Sequence, residues 1–321
     1  MHISLLATGG TISTKRGQAG AVPGLDAGTI AHSAQVDGQD IQIRTRDVLQ
    51  VSSRNITPMN MWYLAHAVHE EIKAGAVGII ITHGTDTLEE TAYALSLLVQ
   101  PSVPLALTGA MRVPGSAGED GPANVAAAFA VATNPVFSAY GPLVVHQDEI
   151  HLARWVTKVH SARVAAFASP SSGPVGVVVE GRAIPIAGPL IPEYLSRTRA
   201  PNKRVELVFA LTGSDGLIVD AIRDQVDGIV LAALGGGHVA PALAHSLVAA
   251  AARGVAVILA SRCPSPQVLR STYGGVGSEA HLLGSGLVSA GNLAPIKARL
   301  RLIFGLSAGF SPDELFSGTL Y

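Results

Sequence analysis

Two patterns of apolar and polar positions alternate along this chain. Short apolar runs end in turns rich in Gly, Thr and Ser, and longer amphipathic or Ala-rich segments follow them. His2–Ala7, Val77–Thr82, Pro104–Thr108 and Pro142–His146 are mostly apolar and of strand length, as expected for strands buried on both faces. Met59–Lys73 places Trp62, Ala65, Val68 and Ile72 on one side of a helix, with Thr57 as its N-cap and Pro58 in its first turn. Leu88–Val99 and Ala123–Ala132 predict further helices. Strands that alternate with helices predict an α/β fold, with a mostly parallel sheet flanked by helices on both faces.

The rhythm lapses from Ala183 to Arg204, where Pro185, Pro189, Pro192 and Pro201 precede a charged end. It resumes with strands at Val205–Leu211, Gly228–Leu234 and Val255–Ala260 and a helix at Pro241–Arg253. The pattern predicts a larger N-terminal domain (1–182), a linker (183–204) and a smaller α/β C-terminal domain (205–321).

Composition narrows the function classes. Hydrophobic residues make up 48% of the chain and charged residues 14%, well below the roughly 25% usual for soluble domains. Either a large buried subunit interface or an Ala- and Gly-rich core accounts for this. The net charge of −1, without a basic stripe or acidic tail, predicts neither a nucleic-acid partner nor an anionic membrane. A single cysteine, Cys263, excludes an intrachain disulfide, and its place after an apolar run suggests a packed, inert thiol. No apolar stretch approaches the about 20 residues of a membrane span. The N-terminus lacks a basic leader and enters a first core strand, so the expected compartment is the cytoplasm.

Ligands in open α/β sheets bind beyond the carboxyl ends of strands, and three such ends carry unusual turns. ATGGTIS (7–13) has a glycine pair and leaves Thr11 on an exposed turn. THGTDTLEET (82–91) opens a helix, offering Thr85 and Asp86 side by side; a plain helix cap at Asp86 or Thr87, with Glu89 and Glu90 favouring the helix dipole, fits the same letters. LTGAMRVPGSAGEDGPAN (107–124) is a long glycine-rich loop, which suggests ligand contact or interface packing.

In order along the chain, ATGGTI, HGTDTLEET and TGAMR, with Lys158 beyond them, resemble the bacterial-type L-asparaginases. The resemblance runs from about Ile3 to the C-terminus. It implies a hydrolase that converts L-asparagine to L-aspartate and ammonia through a threonine acyl-enzyme, without metal or other cofactor. Thr11 matches the family's nucleophile. Thr85, Asp86 and Lys158 match its threonine–aspartate–lysine cluster, where an ammonium beside a hydroxyl eases loss of its proton and a carboxylate holds the ammonium. Ser53 matches a serine that binds the substrate's α-carboxylate, and Asp86 also binds its α-amino group. Glu279, placed by the following LVSAGNLAPIKAR (287–299), matches a glutamate that reaches the α-amino group from a neighbouring subunit. The resemblance therefore implies a homo-oligomer, a dimer of dimers, acting in asparagine catabolism.

The chain also departs from the family. Ala21, in GAVP, stands where relatives carry a tyrosine on a loop after the nucleophile, and residues 14–30 are expected to form a mobile lid. Arg54 replaces an uncharged neighbour of the binding serine, and His238 stands where relatives have asparagine or serine. Three other readings stay open: glutamine or a modified asparagine as substrate, a non-catalytic amino-acid binding protein, and a glutamyl-tRNA amidotransferase, for which the chain shows no extra domain or basic face. The string Gly305–Gly309 has the spacing of a serine-hydrolase elbow, but KARLRLIF before it predicts a helix, not the required strand. The eleven histidines show no HExxH or paired ligand spacing, and His83 is expected to be structural.

Overall fold

The computed structural model describes residues 1–17, 20–34, 41–191 and 193–317. It divides into two compact units, Met1–Tyr194 and Leu195–Tyr321. In chain order the first unit holds β1 (His2–Gly9), β2 (Thr14–Gly17), β3 (Gly20–Pro23), α1 (Ala27–Ser33), β4 (Gln42–Val51), α2 (Pro58–Lys73), β5 (Ala76–Thr82) and α3 (Leu88–Leu98). There follow β6 (Leu105–Thr108), α4 (Gly121–Ala132), β7 (Pro142–His146), β8 (Glu149–Leu152), β9 (Thr157–Lys158), β10 (Phe167–Ala168), β11 (Gly176–Val179) and β12 (Arg182–Pro185).

Among the described residues the main sheet runs β12-β11-β8-β7-β6-β5-β1-β4. The strands from β4 to β7 pair in parallel, and β8, β11 and β12 extend that sheet by antiparallel pairing. Ile79, Ile80 and Ile81 of β5 are at most 1% exposed. Burying each such side chain stabilises the fold by about 1.5–3 kcal/mol, and strands buried on both faces need apolar residues at every position. On one face Ile3, Leu5 and Ile80 share a cluster with Ile30 of α1 and Val125 and Phe129 of α4. The alternate residues point to the other face, where α2 contacts β5 and α3 contacts β6 and β7. A capping box between Thr57 and Asn60 starts α2 at Pro58. Strand β12 occupies the first residues of the segment expected to be a linker.

The lid expectation falls on β2 and β3, which pair antiparallel with Arg16 opposite Ala21; Gln18 and Ala19 lie outside the described residues.

The second unit holds β13 (Val205–Phe209), α5 (Leu217–Ile222), β14 (Gly228–Ala233), α6 (Pro241–Ala252), β15 (Ala256–Ser261), α7 (Glu279–Gly284), β16 (Val288–Ser289), α8 (Pro295–Ser307) and α9 (Pro312–Phe316). Its strands form a parallel sheet in the order β13-β14-β15-β16. Ile229, Leu231, Val257 and Leu259 pack with Leu243 and Leu247 of α6. Cys263 is exposed, not packed: the chain has already left β15 at Ser261, and the residue sits in the turn that follows. Ser307 lies in the last turn of α8, where its hydroxyl donates to the Ile303 carbonyl. A helical serine bonded to its own backbone is not an elbow nucleophile.

Candidate active site

Register brings the three turns to one edge of the first unit's sheet. Ala7 pairs with Thr82, and Thr82 pairs with Thr108. Beyond these residues the turns stay tied together. Thr8 Oγ1 donates to the Thr82 carbonyl at 3.0 Å, and the His83 N–H donates to the Thr108 carbonyl at 2.8 Å. Gly10 has φ +85°, a conformation that favours glycine, and its Cα faces the Gly84 backbone with no room for a side chain. Thr11 and Thr85 are the residues that follow these two touching glycines.

Thr11 opens a short 3-10 turn, Thr11–Ser13, and is partly exposed. Ser13 and Thr14 hold that turn by donating their hydroxyls to the carbonyls of Gly10 and Thr11. Ser53 begins another 3-10 turn just after β4 and is buried. A side chain on Gly84 would collide with Ser53 Cβ and Oγ at 2.7 Å, so Ser53 lies directly against the turn that carries Thr85. Thr87 closes the contact by donating its hydroxyl to the Ser53 carbonyl.

Lys158 reaches this turn from β9. Its Nζ donates to Thr85 Oγ1 at 2.9 Å and to Asp86 Oδ1 at 2.6 Å. Thr85 is buried, the Lys158 side chain is 14% exposed and the Asp86 side chain is 67% exposed. The ammonium is thus mostly withdrawn from water, while Asp86 offers an open carboxylate face. An exposed ion pair alone contributes little to stability. Here its effect is to fix a cation against a hydroxyl, which favours loss of the hydroxyl proton.

His83 is buried beneath the same turn. Its Nδ1 lies 2.8 Å from the Gly84 carbonyl and its Nε2 lies 2.9 Å from Thr91 Oγ1. A carbonyl can only accept, so Nδ1 carries the proton and Nε2 accepts from Thr91. Burial pushes the His83 pKa down to about 4, against the raising effect of the Gly84 carbonyl. Neutral His83 clamps the turn before Thr85, in the structural role expected of it.

Three residues of this region have no site role on sequence grounds. The pattern gives Glu89 only the helix dipole to favour. In the fold it is buried, and its Oε1 accepts from the Thr157 hydroxyl and the Lys158 N–H. Asp120, also buried, accepts from the N–H groups of Met111 and Arg112 and from Asn124 Nδ2. Asn124 in turn donates to the Gly109 carbonyl and accepts from the Gln147 N–H. Asn124, the lone polar side chain in the apolar helix α4, is the one of the three that carries a sequence signal.

Glu279 begins α7 in the second unit and is fully buried there. Its Oε1 accepts from the N–H groups of Thr272 and Tyr273, and its Oε2 lies 3.0 Å from His238 Nε2. Burial pushes the carboxyl up, but bonds from the Tyr273, Glu279 and Thr272 backbone and from His238 outweigh it and hold the carboxyl below its usual range. The structure therefore gathers Thr11, Ser53, Thr85, Asp86 and Lys158 around one set of strand ends in the first unit. Among the described residues there is no cluster of His, Cys, Asp and Glu suited to a metal ion.

The family model described as Asparaginase, N-terminal matches residues 2–189, and that described as Glutaminase/Asparaginase C-terminal domain matches residues 204–316. The chain belongs to the asparaginase family. A protein of Deinococcus radiodurans named Probable L-asparaginase is 36% identical, over 98% of this chain and 95% of its own length. The solved structure of a Probable Cytoplasmic L-asparaginase from Campylobacter jejuni is 28% identical, with a TM-score of 0.85 over 98% of each chain. A glutamyl-tRNA(Gln) amidotransferase protein of Halobacterium salinarum is 28% identical over 97% of this chain but only 76% of its own length. All three strand-end turns and the Lys158 segment fall within the asparaginase N-terminal match.

Proposed function

We propose that this asparaginase-family chain hydrolyses the side-chain amide of L-asparagine to L-aspartate and ammonia through a threonine acyl-enzyme. The observation that carries the reading is the placement of Lys158 Nζ between Thr85 Oγ1 and Asp86 Oδ1, on a turn that touches the Thr11 turn. A threonine Oγ attacks the amide carbon, its proton passes to the departing amide nitrogen, and ammonia leaves. Water then attacks the ester, releases aspartate and restores the hydroxyl. Thr11 is the nucleophile by family resemblance. Thr85, Asp86 and Lys158 manage the proton, and N–H groups of the strand-end turns stabilise the oxyanion. Ser53 binds the substrate's α-carboxylate, and the open face of Asp86 binds its α-ammonium. Trapping the acyl-enzyme and mapping the modified residue tests the route; an ester on neither threonine overturns it.

Glu279 is assigned to the site of a neighbouring subunit in a homo-oligomer, a dimer of dimers. Its carboxylate is fully buried behind His238, whose side chain is 31% exposed, so the imidazole is the open face that the pair offers a ligand. The exposed apolar side chains of Leu217 and Ile218, in a chain with only 14% charged residues, support a covered face in such an assembly. Likeness to the Campylobacter jejuni protein, itself named as a probable cytoplasmic enzyme, supports a cytoplasmic location; no described helix is long and apolar enough to cross a membrane. Ammonia release from asparagine and from glutamine, measured side by side, separates this reading from a glutaminase and from a binding protein.

A further inference from the structure

Lys158 depends on an unusually small piece of backbone. Strand β9 is only Thr157–Lys158, and it pairs with β10, which is only Phe167–Ala168. Two-residue strands give little rigidity by themselves. A side chain as long as lysine, rooted in so short a ladder, needs another restraint if its ammonium is to hold one position.

That restraint comes from α3. Glu89 lies in its first turn and is 6% exposed. Its Oε1 accepts from the Lys158 N–H at 3.1 Å and from the Thr157 hydroxyl at 3.2 Å. The stretch Thr85–Glu89 therefore holds Lys158 at both ends: Thr85 and Asp86 take the ammonium, and Glu89 takes the amide. The Lys158 N–H donates to Glu89 within the ordinary hydrogen-bond range. Among the described residues Glu89 Oε2 makes no hydrogen bond, so the whole grip passes through Oε1.

We infer that Glu89 is a positioning residue, which fixes the Lys158 backbone so that Nζ stays between Thr85 and Asp86. The inference rests on the catalytic role proposed for Lys158. It makes a specific demand on chemistry: one acceptor oxygen at the Oε1 position, not a negative charge. Glutamine supplies that oxygen and places its amide NH2 where Oε2 makes no bond. Aspartate keeps the charge but is one methylene too short to reach.

The test compares Glu89→Gln, Glu89→Asp and Glu89→Ala in the full-length protein, alone and combined with Lys158→Ala. Displacing a catalytic group by about 1 Å costs up to roughly 100-fold in rate. Glu89→Ala and Glu89→Asp are expected to lower kcat by about 10- to 100-fold with KM within about threefold, because the interaction lost serves the reacting atoms and not the bound substrate. Glu89→Gln is expected to keep kcat within about threefold of the parent. In the Lys158→Ala background, Glu89→Ala should cost almost nothing more, since residues acting as a unit are not additive. Parental turnover in Lys158→Ala would defeat the role proposed for Lys158 itself. If Lys158→Ala is inactive while Glu89→Ala keeps parental kcat, or while Glu89→Gln falls as far as Glu89→Asp, the positioning role is wrong. Should Glu89→Ala fail to fold, the contrast between glutamine and aspartate still decides the matter.

Discussion

Gly10 and Gly84 touch backbone to backbone: a Cβ built on Gly10 would lie 2.2 Å from the Gly84 Cα. The contact locks the turn that carries Thr11 against the turn that carries Thr85. Neither position has space for even a methyl group. We predict that Gly84→Ala, which also drives a methyl into Ser53, destabilises the fold by about 1–3 kcal/mol and lowers kcat/KM by at least about 100-fold. Thermal unfolding and steady-state kinetics report the two effects separately. Parental kinetics in a folded Gly84→Ala protein would show that the glycine contact does not set the site.

The two threonines should differ from the glycines in one respect: their loss affects chemistry and not folding. Thr11→Ala and Thr85→Ala are each expected to reduce kcat by about 1,000-fold or more, the usual cost of removing one member of a nucleophilic unit. Unfolding temperatures should stay within a few degrees of the parent. Substantial turnover in either variant would contradict its assigned role.

Two buried histidines make stability depend on pH. Burial lowers the His83 pKa to about 4, with the Gly84 carbonyl opposing it. Burial likewise lowers that of His146 to about 4, against the raising effect of Asp120 and with His151 and Lys158 adding to the fall. The unfolded chain binds these protons at an ordinary pKa of about 6.5. Between pH 6.5 and 4 the unfolded state therefore carries more protons, so stability is full above that window and falls as pH drops through it. Each histidine contributes a slope of up to about 1.4 kcal/mol per pH unit. Asparagine at position 83 keeps a donor toward the Gly84 carbonyl but does not titrate. The loss of stability of His83→Asn between pH 6.5 and 4 should thus be shallower than the parent's, as read by denaturant unfolding at several pH values. Parallel curves would remove His83 from the account.

Ala21 tests the departure from the family's tyrosine. If position 21 on β3 is the tyrosine's counterpart, Ala21→Tyr should raise turnover by about 100-fold, the lower end of what a single general acid–base group contributes. Burst and steady-state kinetics on asparagine measure it. An unchanged rate would mean that Thr11 is activated by some other group.

Legibility in the sequence follows burial. Strands β1 and β5 are mostly apolar because both of their faces are covered, and they are plain in the letters. Strand β4, QIRTRDVLQV, lies at the sheet edge and is largely exposed, so it carries no apolar run and the pattern does not predict it. The antiparallel extension is hidden for another reason. Its hairpins turn through Gln147–Asp148 and Glu180–Gly181, all with positive φ, and such turns usually advertise themselves as Asn-Gly or Asp-Gly. At the site, Thr11, Thr85 and Asp86 stand out on distinctive turns, and Ser53 and Lys158 through the family resemblance alone. Glu89 does not, because a first-turn glutamate has an ordinary explanation in the helix dipole. Only the fold shows that it is buried against Lys158.

Every proposed catalytic group lies in the first unit, and Glu279 lies in the second. A substrate with a free α-ammonium needs counter-charge when it is taken from water. Asp86 supplies part of it, but its Oδ1 is already engaged by Lys158. A second carboxylate from a neighbouring chain would add charge and close the pocket to water at once. On this reading Thr11→Ala and Glu279→Ala are both inactive alone, for different reasons, and each leaves intact what the other lacks. Mixed under conditions that exchange subunits, they should form sites that combine a whole Thr11 with a whole Glu279, and activity should return. In a fully exchanged equimolar mixture of dimers, half of the molecules are mixed and each holds one intact site, so recovery should approach a quarter of the parental activity. If tagged subunits are shown to exchange and no activity returns, Glu279 does not complete a neighbour's site.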